Sequence, residues 1–580
     1  MSWVNDIRVI VGLDFGTTYS GFTLYHVDDD IGDIKTNSEW PGELGKLKTN
    51  TVLQYKDDFE EVELWGYPAL YKKPNKRSKN NETKPVELFK LHLGNCLEKF
   101  KPKLPESLTY KQAITDYLCK IGELIKETIP KYWTGINFME HILLVLTVPA
   151  EYSENDKAIM RECAFNAGLI GDKRSEKLQF TTEPEAAAIY CMYSTLKEHK
   201  LTEPGSTNFM IVDCGGGTVD LTTRKLLEEN QLGEVTRRAG DFCGSTFIDN
   251  EFIELLKYEV GNSAIDFLRE NHYGQLQYLV QEFCQYVKMP FTGDDPNFRF
   301  EINLEEFTPA LLQYVTDLEK IWMEEKEWMI ELDFNTIKSM FDPIIDRIIR
   351  MIRVQLVNSS EKCTAMFLVG GFSQSKYLMN RIEKEFGQLV ENISIPNQPI
   401  AAVVRGAAIY GKSLQESKNL KSMNSVKCVI ATRVMDYTFG IKVKPSWKDG
   451  DPLDRLTSNG GIYKFLSIVE CNTIVTIDQE FMVDELIPVY SNQTEISFEI
   501  YYTKEKKAYY CDEPGMKFLG NLLIDLPDVH LGYERPCTFC LSFGDMEIKA
   551  RAFNQTNGQN YQTKFEFNTF KVNIVVSKHD

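Results

Sequence analysis

The sequence has no long apolar run and no excess of positive charge. Its longest apolar stretches, such as HILLVLTVPA (His141–Ala150), have the length of a buried strand and are far too short to cross a membrane. The net charge of −19 argues against nucleic acid or an anionic membrane as the main partner, because both require a basic face. Charged residues interrupt the N-terminal segment, so we expect no signal peptide.

The cysteine and histidine residues lack the spacing that is typical of disulfide frameworks, metal sites or redox motifs. The 13 cysteines follow no framework pattern, which favours a reducing compartment, and we expect a cytoplasmic protein. The close pair Cys537 and Cys540 lies in a strand-like run and is interpreted as packing rather than as a zinc or redox site, since no second pair accompanies it. The seven histidines form no HExxH motif or paired metal spacing.

The pattern of apolar residues changes near residue 413. From Ile7 to about Ser413, β-runs alternate with helical stretches, which predicts an α/β architecture in a chain too long for one core. Helical periodicity is clear in five segments: Glu154–Ala167, Pro184–Glu198, Ser245–Val260, Leu304–Glu331 and Asp342–Val357. Two further segments are interpreted as structural: a solvated basic loop at Tyr71–Lys84 and an amphipathic helical insert at Ile321–Ile330.

The remainder of the chain is strand-like with frequent turn residues. Alternating runs such as EISFEIYY (Glu495–Tyr502) and TKFEFNTFKVNIVV (Thr563–Val576) predict an all-β ending. We therefore predict three parts: an α/β domain over residues 1–412, a polar linker over 413–425 and a β-sandwich over 426–577.

Two segments almost 200 residues apart share one design. VIVGLDFGTTYSG (Val9–Gly21) and FMIVDCGGGTVDL (Phe209–Leu221) each run from an apolar strand through an aspartate and a glycine–threonine turn into a second strand. Glycine allows the backbone to approach a ligand closely, and successive N–H groups then form a concavity that favours anions. Two such turns facing each other would hold a polyphosphate from both sides.

The aspartates in these turns have two interpretations. Asp14 and Asp213 end buried strands, where a carboxylate is costly unless a cation or a water network compensates its charge. A hydrated Mg²⁺ would provide that compensation. The alternative is a simple hairpin in which each aspartate bonds its own backbone. The repetition of the whole pattern favours phosphate and metal. A third glycine turn, in AMFLVGGFSQS (Ala365–Ser375), carries no aspartate and suits a neutral group such as a nucleoside.

Taken together, the ordered motifs resemble the actin, sugar-kinase and heat-shock ATPase superfamily, and within it a divergent 70-kilodalton heat-shock chaperone. The segments that carry the resemblance are Gly12–Ser20, Leu143–Leu169, Thr182–Tyr190, Phe209–Leu221, Arg237–Phe252, Leu368–Ser375 and Pro396–Gly411. The resemblance implies a two-lobed actin-like ATPase domain with a duplicated ribonuclease-H-like fold, followed by an all-β sandwich that resembles a peptide-binding domain without its helical lid. It also implies ATP or ADP with Mg²⁺ as cofactors, and polypeptide clients and co-chaperones as partners.

The resemblance also implies roles for individual residues. Asp14 and Asp213 would orient Mg²⁺ through water, Glu183 would lie near the metal and the attacking water, and Lys90 is the candidate catalytic lysine. A surface lysine on a helix is the alternative for Lys90, because the flanking match is short. The remaining nucleotide-binding candidates come from the matching motifs: Gly16, Thr17, Thr18, Gly215, Gly216, Gly217, Thr218, Gly244, Lys288, Gly370 and Gly371. Thr218 is counted among the catalytic candidates as well.

Some positions depart from the family pattern. Phe372 and Gln374 stand where the family has serine and arginine, and Gln285 and Met289 flank the retained Lys288. Metal and phosphate chemistry is therefore expected to be intact, while the base specificity is open. The acidic, leucine-rich linker of the family is absent, and Lys157 replaces an arginine that is usual in interdomain coupling.

Three functions remain open from the sequence. The first is a slowly hydrolysing, ATP-binding chaperone-like protein. The second is a nucleotide-sensing scaffold with little turnover, favoured by Phe372, Gln374 and the altered linker. The third is a small-molecule kinase on the same fold, which would need a catalytic aspartate at a position where we identify none.

Overall fold

The structure is a computed structural model that describes residues 3–564 except 57, 71–83, 360, 419–427, 478 and 544–545. The chain forms two compact units of mixed α/β character. The first comprises residues 1–151, 162–230 and 239–429, and the second comprises 152–161, 231–238 and 430–580. Most of the predicted loop at Tyr71–Lys84, much of the predicted linker and the end of the last predicted strand lie outside the described residues.

The first sheet of unit 1 is built around the strand Val9–Asp14. All six of its residues are buried, because it is covered on both faces. It pairs antiparallel with Tyr19–His26 and parallel with Ile142–Val148, which pairs parallel with Leu178–Thr182. Two short strands extend the sheet on the side of Tyr19–His26: Lys35–Thr36 and Thr49–Asn50.

The second sheet of unit 1 repeats this pairing pattern around Asn208–Cys214. This fully buried strand pairs antiparallel with Val219–Leu226 and parallel with Ala365–Val369, which pairs parallel with Asn392–Ser394. Ala239–Asp241 joins the edge of Val219–Leu226. In both sheets a hairpin is therefore followed by two parallel strands. Smaller strands of unit 1 pair as Arg299–Asn303 with Met329–Asp333, Val52–Tyr55 with Val62–Trp65 and Val86–Glu87, and Glu39–Trp40 with Glu43–Leu44.

Helices pack against these sheets, and four of the five predicted helical segments are confirmed. The longer α-helices are Tyr110–Tyr132, Glu154–Asn166, Glu183–Tyr193, Thr246–Val260, Asn262–Asn271, Tyr273–Phe283, Asp317–Glu325, Phe334–Asn358, Lys376–Phe386 and Ala402–Lys418. The helix that starts at Glu183 is capped by the Thr182 side chain, which accepts a hydrogen bond from the Glu185 N–H. The last helix continues to Lys418 and so enters the segment predicted as a linker.

The prediction of one helix over Leu304–Glu331 is wrong. Only Leu304–Phe307 and Asp317–Glu325 are α-helical, and Met329–Asp333 is a strand. Pro309 cannot continue the first helix. In the strand Ile330 and Leu332 alternate with exposed residues, and this period of two decides the conformation. The predicted insert at Ile321–Ile330 is accordingly helical only to Glu325, and its last two residues begin the strand Met329–Asp333.

Unit 2 contains two four-stranded antiparallel sheets. One has the order Lys464–Val469, Thr438–Val443, Glu495–Thr503 and Lys517–Asp525, and the other has the order Glu480–Leu486, Cys537–Ser542, Lys549–Asn554 and Asn560–Lys564. Buried residues of both sheets, including Ile441, Ile500, Phe539 and Ala550, belong to one core. Three shorter strands, Leu232–Glu234, Ile430–Val434 and Ile474–Thr476, pair with each other in the same unit. Within the described residues, no helix has the length and apolar character that a bilayer crossing needs.

Candidate functional site

The two glycine–threonine turns of unit 1 lie against each other. A Cβ atom built on Gly216 would lie 2.1 Å from Thr18 Oγ1, and one on Gly217 would lie 2.7 Å from Thr17 Oγ1. Only glycine allows this approach, because any side chain would collide with the opposite turn. The structure therefore brings together Thr17 and Thr18 from the first hairpin and the glycine turn of the second, as two facing phosphate cradles require.

The segment after the second hairpin holds that turn from behind. The N–H groups of Gly244, Ser245 and Thr246 donate to the carbonyl groups of Gly217, Gly215 and Gly216, at 3.2, 3.1 and 2.9 Å. Inside the turn, the Gly215 N–H donates to Thr218 O at 3.0 Å. With its carbonyl groups bonded on one side, the turn is fixed in a single conformation.

The third glycine turn contacts the end of the second buried strand. Gly370 has φ of +82°, and a Cβ atom there would lie 2.5 Å from Asp213 Oδ1. A side chain at Gly371 would meet open space. Phe372 is 3% exposed and belongs to the apolar core of unit 1, so this family-atypical residue acts in packing.

Lys90 and Glu183 form a buried ion pair. Lys90 Nζ lies 2.8 Å from Glu183 Oε1 and donates a second hydrogen bond to Phe15 O at 2.6 Å. The side chains are 4% and 13% exposed. Phe15 follows Asp14 in the first turn, so the ammonium group is fixed between that turn and the start of the helix Glu183–Tyr193. The surface-lysine alternative for Lys90 is therefore wrong.

Asp220 is a member of the site that the sequence analysis missed. It is the register partner of Asp213 in the hairpin, is 1% exposed and accepts a hydrogen bond from the Ala150 N–H at 2.9 Å. Burial, with Glu183 adding repulsion, raises the pKa of Asp220 to about 8. The sequence signal for Asp220 was a charged residue inside the strand-like run VDLTT, directly after the glycine turn.

The carboxylates of the site are under-compensated. Burial raises the pKa of Asp213 well above its usual range, and Glu183, Asp220 and Asp14 add repulsion that the Lys48 ammonium partly opposes. Burial also raises the pKa of Glu183, against the attraction of Lys90. Fully ionised, the four carboxylates and the two lysines would carry two uncompensated negative charges, a deficit that one divalent cation would neutralise.

Lys48 is the second residue that the sequence analysis missed. Its Nζ lies 2.5 Å from Asp14 Oδ2, and the two side chains are 10% and 4% exposed. Burial opposes the charged form of Lys48, but Asp14, Asp213 and Glu183 together favour it, so the pKa of Lys48 is raised. Thr147 Oγ1 lies 3.3 Å from the other oxygen, Asp14 Oδ1.

Lys288 joins this arrangement only indirectly. It ends a π-helical segment, Cys284–Lys288, and its Nζ donates to Asp249 Oδ1 at 2.7 Å. Asp249 lies in the helix Thr246–Val260, whose first residue bonds the second glycine turn. Lys288 is therefore connected to the second glycine turn only through its bond to Asp249 and the helix that contains Asp249.

The residues present fit a magnesium-bound polyphosphate. The facing turns leave no room for side chains, as a backbone cradle for phosphate requires, and the buried carboxylates lack sufficient cationic partners. Within the described ranges no three His, Cys, Asp or Glu side chains are close enough to ligate a metal directly. Asp14 and Asp213, which the resemblance assigns to the metal, would hold Mg²⁺ through water, which this ion retains readily.

Comparison with known proteins relates the whole chain to heat-shock proteins. No protein-family model matches the chain. It is 25% identical to mouse heat shock 70 kDa protein 12A over 653 aligned positions, which cover 96% of this chain and 91% of the relative. It is 22% identical to human heat shock 70 kDa protein 12B over 673 positions with the same coverage. Chaperone protein DnaK of Elusimicrobium minutum is 26% identical over 411 positions, covering 69% of this chain and 57% of that protein.

These similarities extend over most of the chain at low identity. The relatives are 70-kilodalton heat-shock proteins and chaperones by name. The chain is a divergent relative of the 70-kilodalton heat-shock family, as its motifs indicate.

Proposed function

We propose that the protein is a chaperone-like ATPase that binds ATP with Mg²⁺, hydrolyses it slowly and couples the nucleotide state to closure of the cleft and to polypeptide binding. One observation carries the proposal. The two glycine turns lie in contact, and Lys90, Glu183, Asp213 and Asp220 converge beside them. The names of the relatives support the same class at the level of the family.

The arrangement of the sheets in both units also supports this proposal. The repeated pattern of a hairpin followed by two parallel strands favours a duplicated, actin-like architecture within residues 1–412, the range predicted as the first domain. The two sheets of unit 2, which share one core, favour a β-sandwich within residues 426–577.

Each site residue has a role that its contacts allow. Thr17, Thr18 and Thr218 would donate hydroxyl and N–H groups to the β- and γ-phosphates, together with the backbone of the glycine turns. Lys90 would neutralise charge that develops on the transferred group, and its bond to Phe15 O fixes the ammonium in advance. Glu183 would orient the attacking water. Mg²⁺, when bound, supplies charge neutralisation at the phosphates.

A nucleotide-sensing scaffold is the second candidate. Phe372 packs into the core at a position where the family has a polar residue, which favours altered contacts with the base and little turnover. A small-molecule kinase is disfavoured, because the sequence has no aspartate at a position recognisable as the base of such an enzyme. Polypeptide clients and co-chaperones are the partners that we propose, and the cytoplasmic location stays a prediction.

Calorimetry and single-turnover hydrolysis distinguish these functions. The protein is titrated with ATP, ADP and GTP in the presence of Mg²⁺, and hydrolysis is followed with enzyme in excess of ATP. Binding with slow hydrolysis supports the chaperone-like ATPase, and binding without measurable hydrolysis supports the scaffold. Turnover that rises on addition of a sugar or polyol supports the kinase. Absence of binding by every nucleotide contradicts the ATPase and the scaffold together.

A further inference from the structure

The backbone beside the first glycine turn positions Lys48. Thr49 and Asn50 pair with Ser20 and Tyr19, immediately after the turn, so the residue before this short strand lies at the edge of the site. From there the Lys48 side chain extends inward until its Nζ lies 2.5 Å from Asp14 Oδ2. Only 10% of the side chain is exposed, so the ammonium is held inside the protein and is not a mobile surface charge.

A glycine in the neighbouring strand makes room for this side chain. Gly21 is the register partner of Asp14 in the first hairpin, and a Cβ atom at position 21 would lie 2.9 Å from Lys48 Cγ. The stem of Lys48 therefore lies across Gly21 and ends at the carboxylate on the opposite strand. Sequence and packing are adapted to this path, since a larger residue at position 21 would displace the lysine.

The ion pair occupies a carboxylate that the proposed function needs for the metal. Asp14 is one of the two aspartates that would hold hydrated Mg²⁺, and the Lys48 ammonium already compensates its charge. A cation that approaches Asp14 must replace an attraction that is strong because water is largely excluded. Conversely, an ammonium released from Asp14 would be available to the phosphate oxygens of a nucleotide.

We propose that Lys48 is an internal counter-cation of the nucleotide site, which competes with the divalent cation for Asp14 and supports phosphate binding when that cation is absent. The inference rests on the proposed function, since it assigns Asp14 to the metal. It predicts two effects of removing the charge. Divalent cations bind the nucleotide-free protein more tightly, and ATP binding becomes more dependent on Mg²⁺.

The test titrates Mn²⁺ into the nucleotide-free, full-length protein and follows the free ion by electron paramagnetic resonance. Lys48→Gln and Lys48→Met remove the charge and keep most of the stem, Lys48→Arg keeps the charge, and Lys46→Gln changes an exposed lysine two residues away. Thermal melts identify which variants are folded. The same proteins are then titrated with ATP in Mg²⁺ and in EDTA.

The proposal expects the neutral variants to bind Mn²⁺ about tenfold more tightly than the wild type, with Lys48→Arg and Lys46→Gln unchanged. It also expects the ratio of the ATP dissociation constants in EDTA and in Mg²⁺ to rise about tenfold in the neutral variants. An unchanged Mn²⁺ affinity in a folded neutral variant overturns the inference about Lys48. Failure of the wild type to bind ATP, combined with the expected Mn²⁺ result, overturns the proposed function and leaves the competition for Asp14 standing.

Discussion

Lys90 Nζ lies 2.8 Å from Glu183 Oε1, although 93 residues separate them in the sequence. The lysine is anchored a second time on Phe15 O, directly after Asp14. Its charge is thus fixed beside both the first glycine turn and the glutamate. A group held in this way stabilises developing charge without reorganising, which is the property that a phosphoryl-transfer site requires.

Replacing Lys90 by alanine is expected to slow hydrolysis and to spare binding. The ammonium stabilises charge that is largest in the transition state, so the single-turnover rate should fall by a factor of about 10² to 10³. The ATP dissociation constant, measured by calorimetry, should change much less. Lys103→Ala, at an exposed position, is the matched control and should retain the wild-type rate. A weakened ATP affinity with an unchanged single-turnover rate at saturation would show that Lys90 acts in binding alone.

A single methyl group at Gly216 is expected to separate the two turns. The new Cβ atom would lie 2.1 Å from Thr18 Oγ1, and the backbone must shift to relieve the contact. Gly216→Ala should therefore weaken ATP binding by at least about tenfold. Gly171→Ala provides the control, because a Cβ atom there meets no neighbour within 4 Å. Wild-type ATP affinity in Gly216→Ala would contradict the close approach of the turns.

Glu87 makes stability depend on pH. Its carboxylate accepts hydrogen bonds from Tyr273 and Gln277, and burial raises its pKa to about 7 from an ordinary 4.5. The folded chain therefore retains a proton that the unfolded chain releases, and the stabilisation is lost as the pH rises from about 4.5 through 7.

The variant Glu87→Gln removes this pH dependence, because its amide stays neutral. Relative to the wild type it should gain roughly 1 to 3 kcal/mol of unfolding free energy between pH 5 and pH 8. The difference is measured by chemical denaturation at both pH values, without nucleotide. A difference that is the same at both pH values would contradict the raised pKa.

In unit 2, Arg161 and Glu547 form a bidentate ion pair. The distances are 2.7 Å from Nε to Oε1 and 2.5 Å from Nη2 to Oε2, and the side chains are 8% and 15% exposed. Lys157, one helical turn earlier, donates to the carbonyl oxygen of Met546 at 2.5 Å. These contacts attach the beginning of the helix Glu154–Asn166 to the sheet region that contains Glu547.

Breaking this pair is expected to destabilise unit 2. Glu547→Gln removes the negative charge from this largely buried, bidentate pair and should cost about 3 kcal/mol of unfolding free energy. Glu480→Gln breaks the exposed pair of Glu480 with Arg551 and should cost no more than about 0.5 kcal/mol. Chemical denaturation followed by tryptophan fluorescence compares the two. An equal loss of unfolding free energy in the two variants would show that the Arg161–Glu547 pair contributes no more to stability than an exposed pair.

The local parts of the site were predictable from the sequence. The strands that end near Asp14 and Asp213, the turns that follow them and the Thr182 cap are each encoded within a few consecutive residues. The segment Leu304–Glu331 was misassigned because its apolar residues fit a helical period until Pro309 and the pairing of Met329–Asp333 intervene.

Lys48 could not be found from its neighbours alone. The segment GKLKTN resembles a polar turn, and nothing in it indicates an inward-facing lysine. Its direction is set by the pairing of Thr49–Asn50 with the first hairpin and by the space above Gly21. Both depend on residues that lie far away in the sequence, and such contacts exist only once the sheet has formed.

Calorimetric titration of the wild type and of Asp213→Ala with ATP in the presence of Mg²⁺ tests the central claim most directly. Asp213 is the penultimate residue of the second buried strand, lies against Gly370 and is repelled by the Glu183 carboxylate. Saturable binding to the wild type that weakens by at least about tenfold in Asp213→Ala is the predicted result. No binding by the wild type, or equal binding by both proteins, would contradict the account.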